Sequence, residues 1–244
     1  MGRGLTMRLS DALYLTDVQS VAICGAGGKT TLLYALAEEA RRGNQRVLVT
    51  TSTHILQPED TDVLHFFHAE QVENPASICL PGQIAVIGTP CGQKKITGIA
   101  PMNVDAAMQA ADVFLYEADG AKRLPVKCHN ATEPVVWFGT DSVIGVLGLS
   151  ALGKPAQDIC HRWQLDPLFA ALPDKPLDTD DFVRLALECR QAAGYPHHFT
   201  VCLNQCDTDA LRDAAREISA GLAIHGIRCA ATCFLGTQPE ITAL

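Results

Sequence analysis

Seven residues near the start of the chain, Gly25-Ala26-Gly27-Gly28-Lys29-Thr30-Thr31, carry the types and spacing of a phosphate cradle. Glycines let backbone N–H groups crowd around a polyphosphate without Cβ clashes. A helix opening at the lysine adds unpaired N–H donors and a partial positive charge aimed at the same anion. In that arrangement Lys29 would reach the terminal phosphates and Thr30 would put its hydroxyl on Mg2+. The flanking residues agree. Val21-Ala22-Ile23-Cys24 is an apolar run; Leu32, Leu33, Leu36 and Ala40 recur at helical spacing, and Arg41-Arg42-Gly43 supplies a cationic last turn with a glycine stop. The longer pattern G-x-x-x-x-G-K-[ST] would need a glycine at position 23, where Ile23 stands, so the motif is the shorter G-x-x-G-K-T-T.

Other apolar runs end in reactive side chains. Phe114-Leu115-Tyr116 leads into Glu117-Ala118-Asp119-Gly120, an arrangement that delivers carboxylates beside a phosphate cradle. Glu117 or Asp119 would assist at the metal or polarise the attacking group, and Gly120 would let a backbone N–H approach the γ-phosphate. Lys122, Arg123 and Lys127 follow in one short loop, a positive patch in an acidic chain. Thr50-Thr51-Ser52-Thr53-His54 is hydroxyl-dense: Thr51 could approach Mg2+, or the turn could satisfy its own backbone. Asn204-Gln205-Cys206-Asp207 resembles the guanine-reading N-K-x-D turn, with Asn204 and Asp207 in place but Gln205 where lysine would stand, which leaves ATP and GTP both open. Gly148 to Lys154 again brings glycines and a lysine to a strand end, and His161 is either a general base or a partly buried helix histidine.

These residues need a scaffold that gathers strand ends. The pattern predicts strands over 18–24, 46–51, 113–117, 142–147, 199–204 and 227–234, with helices over 29–42, 103–111, 182–193 and 209–225. Short buried strands alternating with helices specify an α/β fold: a doubly wound, mostly parallel sheet with helices on both faces. Runs 84–88 and 95–98 predict a β-hairpin excursion. The expected organisation is an N-terminal extension over 1–17 and one domain over 18–244, irregular between 150 and 178. In such a sheet ligands bind beyond the carboxyl ends of the strands, where every motif above falls.

Composition narrows the partners. With a formal net charge of −8 and no more than two adjacent Lys or Arg, the chain is not expected to bind nucleic acid or an anionic membrane. The chain has neither an apolar run of spanning length nor a signal-peptide core at its start, so the expected location is cytoplasmic. The ten cysteines form no C-x-x-C pair, and in that compartment they are expected to be reduced, buried thiols.

Taken together, GAGGKTT at 25–31, VTTSTHI at 49–55, EADGAK at 117–122, LPVK at 124–127, GLSALGKP at 148–155, His161-Arg162 and LNQCD at 203–207 resemble the YqeC family, described as accessory to selenium-dependent molybdenum hydroxylases. The resemblance implies a P-loop NTPase related to metallocentre-assembly GTPases, with Lys29 and Thr30 as nucleotide contacts and Glu117 to Gly120 as an E-x-x-G element. It implies a molybdenum hydroxylase or a cofactor-assembly protein as partner, and homodimerisation as an option. The short cradle also resembles that of Mur-type ligases, which use ATP to form an acyl phosphate. The expected function is therefore Mg2+-dependent nucleotide hydrolysis in selenium–molybdenum cofactor assembly. The alternatives are an ATP-dependent ligase or kinase acting on a small anion, and a nucleotide-gated binding module without catalysis.

Overall fold

A computed structural model describes residues 7–92, 94–235 and 240–244. Helix α1 (Leu9–Ala12) precedes β1 (Ser20–Gly25), α2 (Lys29–Arg42), β2 (Val47–Thr51), β3 (His54–Leu56) and β4 (Leu64–His68). Next come β5 (Ile84–Cys91), β6 (Lys95–Thr97), α3 (Val104–Ala110), β7 (Val113–Glu117), β8 (Val126–Lys127) and β9 (Ser142–Gly148). The remainder is α4 (Ala156–Ile159), β10 (Cys160–His161), α5 (Pro167–Ala171), α6 (Thr179–Ala192), β11 (Phe199–Asn204), α7 (Asp209–Ala223), β12 (Arg228–Cys233) and β13 (Glu240–Ala243). Local chemistry sets several boundaries. Gly43 terminates α2, Asp178 and Asp181 form a reciprocal capping box at the start of α6, and the Thr208 side chain accepts from the Leu211 N–H at the start of α7.

An eleven-stranded sheet runs in the order β13-β12-β11-β9-β1-β7-β2-β5-β6-β3, with β4 also paired to β5. From β12 through β11, β9, β1, β7, β2 and β5 to β4 every pairing is parallel; β13, β6 and β3 are antiparallel additions. The two-residue period of the strands divides the core between two faces. Val21, Ile23, Val49, Leu115 and Val146 pack with Leu13, Leu32, Leu33 and Leu36 of the α1–α2 side. Ala22, Cys24, Phe114, Tyr116 and Leu147 pack with Met108, Phe182, Leu185 and Ile218 of α3, α6 and α7. Helices thus cover both faces, the doubly wound arrangement expected.

β1 lies between β7 and β9: the chain leaves β1 for β2, beyond β7, and leaves β9 for β11 in the other direction along the sheet. Loops leaving the carboxyl end of β1 therefore diverge, opening a crevice at a topological switch point. The hairpin expectation is met with a difference. β5 is one long strand whose first half joins the parallel sheet, while Thr89 to Cys91 fold against β6, which pairs with the unforeseen β3; Gln93 of that turn lies outside the described residues. Residues 1–6 of the expected extension also lie outside them. From Leu9 onward the extension is bonded to α2: the Glu39 carboxylate accepts from the N–H groups of Leu9 (2.6 Å) and Ser10 (3.0 Å). No helix among the described residues is long and apolar enough to cross a membrane.

Candidate functional site

The turn after β1 is shaped by its own crowding. Gly25, Gly27 and Gly28 have φ of +88°, +92° and +114°, a region that side-chain-bearing residues rarely adopt. A Cβ on Gly25 would lie 2.3 Å from the Val146 carbonyl oxygen, and one on Gly27 would lie 2.4 Å from the Gly148 nitrogen. The turn is also tethered. Ala26 N–H donates to Val146 O (2.8 Å), and Asn204 Nδ2 donates to Gly27 O (2.8 Å) while its Oδ1 accepts from the Thr232 hydroxyl (3.0 Å). No side chain caps α2, whose N-cap is Gly28, so its first N–H groups remain available to an anion.

Charge is concentrated directly below. The register of β7 against β1 pairs Glu117 with Ile23, two residues before the glycine turn. Thr30 donates its hydroxyl to Glu117 Oε2 (2.8 Å). The Lys29 ammonium donates to Gly25 O (2.7 Å) and lies 3.1 Å from Asp119 Oδ1 and 3.5 Å from Glu117 Oε1, its side chain 4% exposed. Burial pushes Glu117 above the usual carboxylate range, and Lys29 and Thr30 offset only part of that. For Lys29, the pull of Asp119 and Glu117 overcomes burial and holds the ammonium charged.

Asp119 takes a position that sequence reasoning did not give it. It is fully buried, and its Oδ2 accepts three hydrogen bonds, from Gly25 N–H (3.0 Å), Lys127 Nζ (2.9 Å) and His129 Nε2 (2.9 Å). Burial alone would raise its pKa, but Lys29, His129 and Lys127 hold it well below the carboxylate range. Lys127 is not part of a surface patch. Its side chain is buried, and the ammonium also reaches Gly120 O (2.8 Å) and Glu133 Oε2 (3.0 Å), the latter shared with Arg162 (2.5 Å). The pairing of β8 with β10, Lys127 opposite His161, stitches these two loops together. His129 and Glu133 stand alone in an irregular segment and Glu188 lies inside a helical pattern, so no motif spacing marks any of them.

The remaining expected residues divide. Thr51 faces Glu117 across β2 and β7, but its hydroxyl donates to the Glu117 backbone oxygen (3.0 Å) and accepts from Thr53 N–H (3.0 Å), so it braces the strand end. Asn204 spends its amide on the cradle, while Asp207, Lys122 and Thr31 are exposed. Gly120 is bound through its carbonyl, by Lys127. Adjacent hydroxyl and carboxylate oxygens on Thr30 and Glu117 are the hard donors that Mg2+ takes together with water and phosphate. All ten cysteines are free, and buried apart from the half-buried Cys91.

His129 predicts a pH dependence. Burial lowers its pKa, but hydrogen bonds with Asp119 and Glu188 more than compensate and raise it to about 9, against about 6.5 in an unfolded chain. A raised pKa gives stability that is complete below the unfolded value and lost as pH rises through the folded one. Chemical denaturation should therefore show stability falling by on the order of 3 kcal/mol between about pH 6.5 and pH 9.5, a slope that His129→Gln removes.

The model of the family described as YqeC protein matches residues 21–164, a span holding the cradle, Glu117, Asp119, Lys127, His129 and Glu133. A protein of Escherichia coli (strain K12), named "Uncharacterized protein YqeC", is 34% identical over 169 residues. That alignment covers 68% of this chain and 66% of the relative, so the chain spans just under two thirds of the relative's length. On these two matches the chain belongs to the YqeC family.

Proposed function

We propose that this chain binds a nucleoside triphosphate with Mg2+ at the carboxyl edge of β1 and hydrolyses it while serving the maturation of selenium-dependent molybdenum hydroxylases. The observation that carries the nucleotide reading is the uncapped start of α2 behind a glycine turn, with Lys29 and the Thr30–Glu117 pair at its base. The pathway rests on the role described for the family, and a molybdenum hydroxylase or cofactor-assembly protein is the corresponding partner.

The division of labour follows from the geometry. The α2 N–H groups and Lys29 receive the phosphates. Thr30 and Glu117 would hold Mg2+, which would supply further charge neutralisation. Glu117 is the strand-end carboxylate that would stand beside that metal and the water bound to it. Asp119, with three donors on one oxygen, stays ionised and keeps Lys29 and the Gly25 N–H in place. Catalysis of this kind is positioning and charge neutralisation.

Calorimetric titration with ATP and GTP, each with and without Mg2+, tests the reading. Binding by one or both that weakens at least tenfold without Mg2+ is expected, and no heat with either nucleotide overturns it. A second reading, phosphoryl transfer to a small anionic substrate, is favoured by the mouth of the site. Lys122 and Arg123 are exposed there, and burial, Arg162, Lys127 and Lys122 together push the neighbouring His161 below its ordinary pKa. Nucleoside diphosphate formation that depends on an added small anion would distinguish it from hydrolysis.

A further inference from the structure

Behind the cradle lies a chain of charges, buried except for the partly exposed Glu188, that no phosphate is needed to explain. His129 Nε2 is 2.9 Å from Asp119 Oδ2, its Nδ1 is 2.7 Å from Glu188 Oε2, and its backbone N–H donates to Glu188 Oε1 (2.7 Å). The ring is 1% exposed and Asp119 is wholly buried. We infer that His129, gripped through both ring nitrogens between Asp119 and Glu188, is a positioning residue that fixes the Asp119 carboxylate and, through it, the Lys29 ammonium and the Gly25 N–H that receive the phosphates. The inference rests on the nucleotide reading and adds to it a link from the cradle to α6.

Three features of the geometry carry it. First, an ionised carboxylate only accepts hydrogen bonds, so a ring bonded to a carboxylate at each nitrogen donates from both and is a cation. Second, Asp119 Oδ2 is saturated by Gly25, Lys127 and His129, which leaves Oδ1 aimed at Lys29 with no other hydrogen-bond partner. Rotation of the carboxylate would break three bonds to improve one. Third, when phosphates draw Lys29 upward, Asp119 retains two cations, Lys127 and His129, and so remains charged and oriented for the ammonium's return.

The groups facing His129 come from every element packed around it. Asp119 and Lys127 follow β7, with Glu133 and Arg162 behind Lys127; Glu188 and Cys189 come from α6, Cys24 from β1 and Lys29 from α2. The Cys189 thiol is held neutral by its contact with Cys24 and by burial.

Glu188→Gln tests the inference on the full chain, because it removes one side of the grip without touching the cradle or Asp119. With the better of MgATP and MgGTP as probe, kcat should fall at least tenfold while KM changes less than threefold. Glu188→Asp should recover part of the loss. A second measurement covers the case in which the variant folds poorly. In the unaltered protein kcat should decline on an alkaline limb near pH 9, the limb should move about one pH unit lower in Glu188→Gln, and it should vanish from the reduced rate of His129→Gln. Glu188→Gln turning over within twofold of the unaltered protein, or an unaltered profile flat to pH 10, overturns the inference while leaving the nucleotide reading standing. Neither binding nor turnover in the unaltered protein removes the nucleotide reading itself and the inference with it.

Discussion

Nucleotide turnover in a Lys29→Ala variant is expected to fall at least about 100-fold, the scale at which one preorganised charge on a developing anion contributes. Lys29 sits where three acceptors converge, Gly25 O at 2.7 Å, Asp119 Oδ1 at 3.1 Å and Glu117 Oε1 at 3.5 Å. The Glu117 contact is the longest, so an arriving phosphate would take that place first at the smallest loss. Alanine removes the only cation at the start of α2, and the helix terminus alone, equivalent to roughly half a charge, cannot replace it. The fold should survive. Asp119 keeps its three donors on Oδ2, and Glu117 keeps the Thr30 hydroxyl. Turnover measured beside a thermal melt separates the two effects: lost activity in a chain that still melts cooperatively, at a lowered temperature, is the expected result, and unchanged turnover would refute the role given to Lys29.

The central elements were readable because each is local. The helix predicted over 29–42 is α2 itself, and 113–117 and 199–204 are β7 and β11, since an apolar run closed by glycine or by a polar strand end declares its own limits. β4 was missed although Leu64-His65-Phe66-Phe67-His68 holds two aromatics, because histidines break the apolar run and its pairing with β5 spans distant sequence. The helix predicted from an Asn103 cap through Ala111 is α3, with Asn103 at its N-cap although its side chain makes no capping bond; only the 3-10 turn Pro101–Asn103 before it was unforeseen.

At the site, the motif-bearing residues were legible and their supports were not. Lys29, Thr30 and Glu117 meet as their strand ends dictate. Lys127 was read with Lys122 and Arg123 as one positive patch because lysine in a short polar loop is usually exposed; only the pairing of β8 with β10 and the presence of Asp119 show why it is buried. Asn204 looked like a base reader, yet its amide bridges Gly27 O and Thr232, a role set by the spacing of β11 and β12 in the sheet. His129, Glu133 and Glu188 are single polar residues brought together from separate segments, and one-dimensional spacing holds no trace of that meeting.

Removing Asp119 should produce a large loss of stability. Asp119→Ala would leave Lys127 and His129 buried beside each other without their common anion, strip Lys29 of its nearest carboxylate and orphan the Gly25 N–H. Breaking a buried ion pair from one side costs about 3–5 kcal/mol, a large part of the 5–15 kcal/mol that folded domains have in total. At roughly 2–4 °C per kcal/mol for a chain of this size, the melting temperature should drop by about 6–20 °C. Asp119→Asn keeps the volume but presents an N–H2 group where donors already crowd, so it should recover little. His129, deprived of one partner, should then deprotonate at lower pH, and the alkaline loss of stability should begin earlier. Denaturant titrations at pH 6.5 and 9 give both numbers. A loss under 1 kcal/mol at pH 6.5 would mean that Lys127 and His129 find other partners, and that Asp119 is not the anion around which the glycine turn is built.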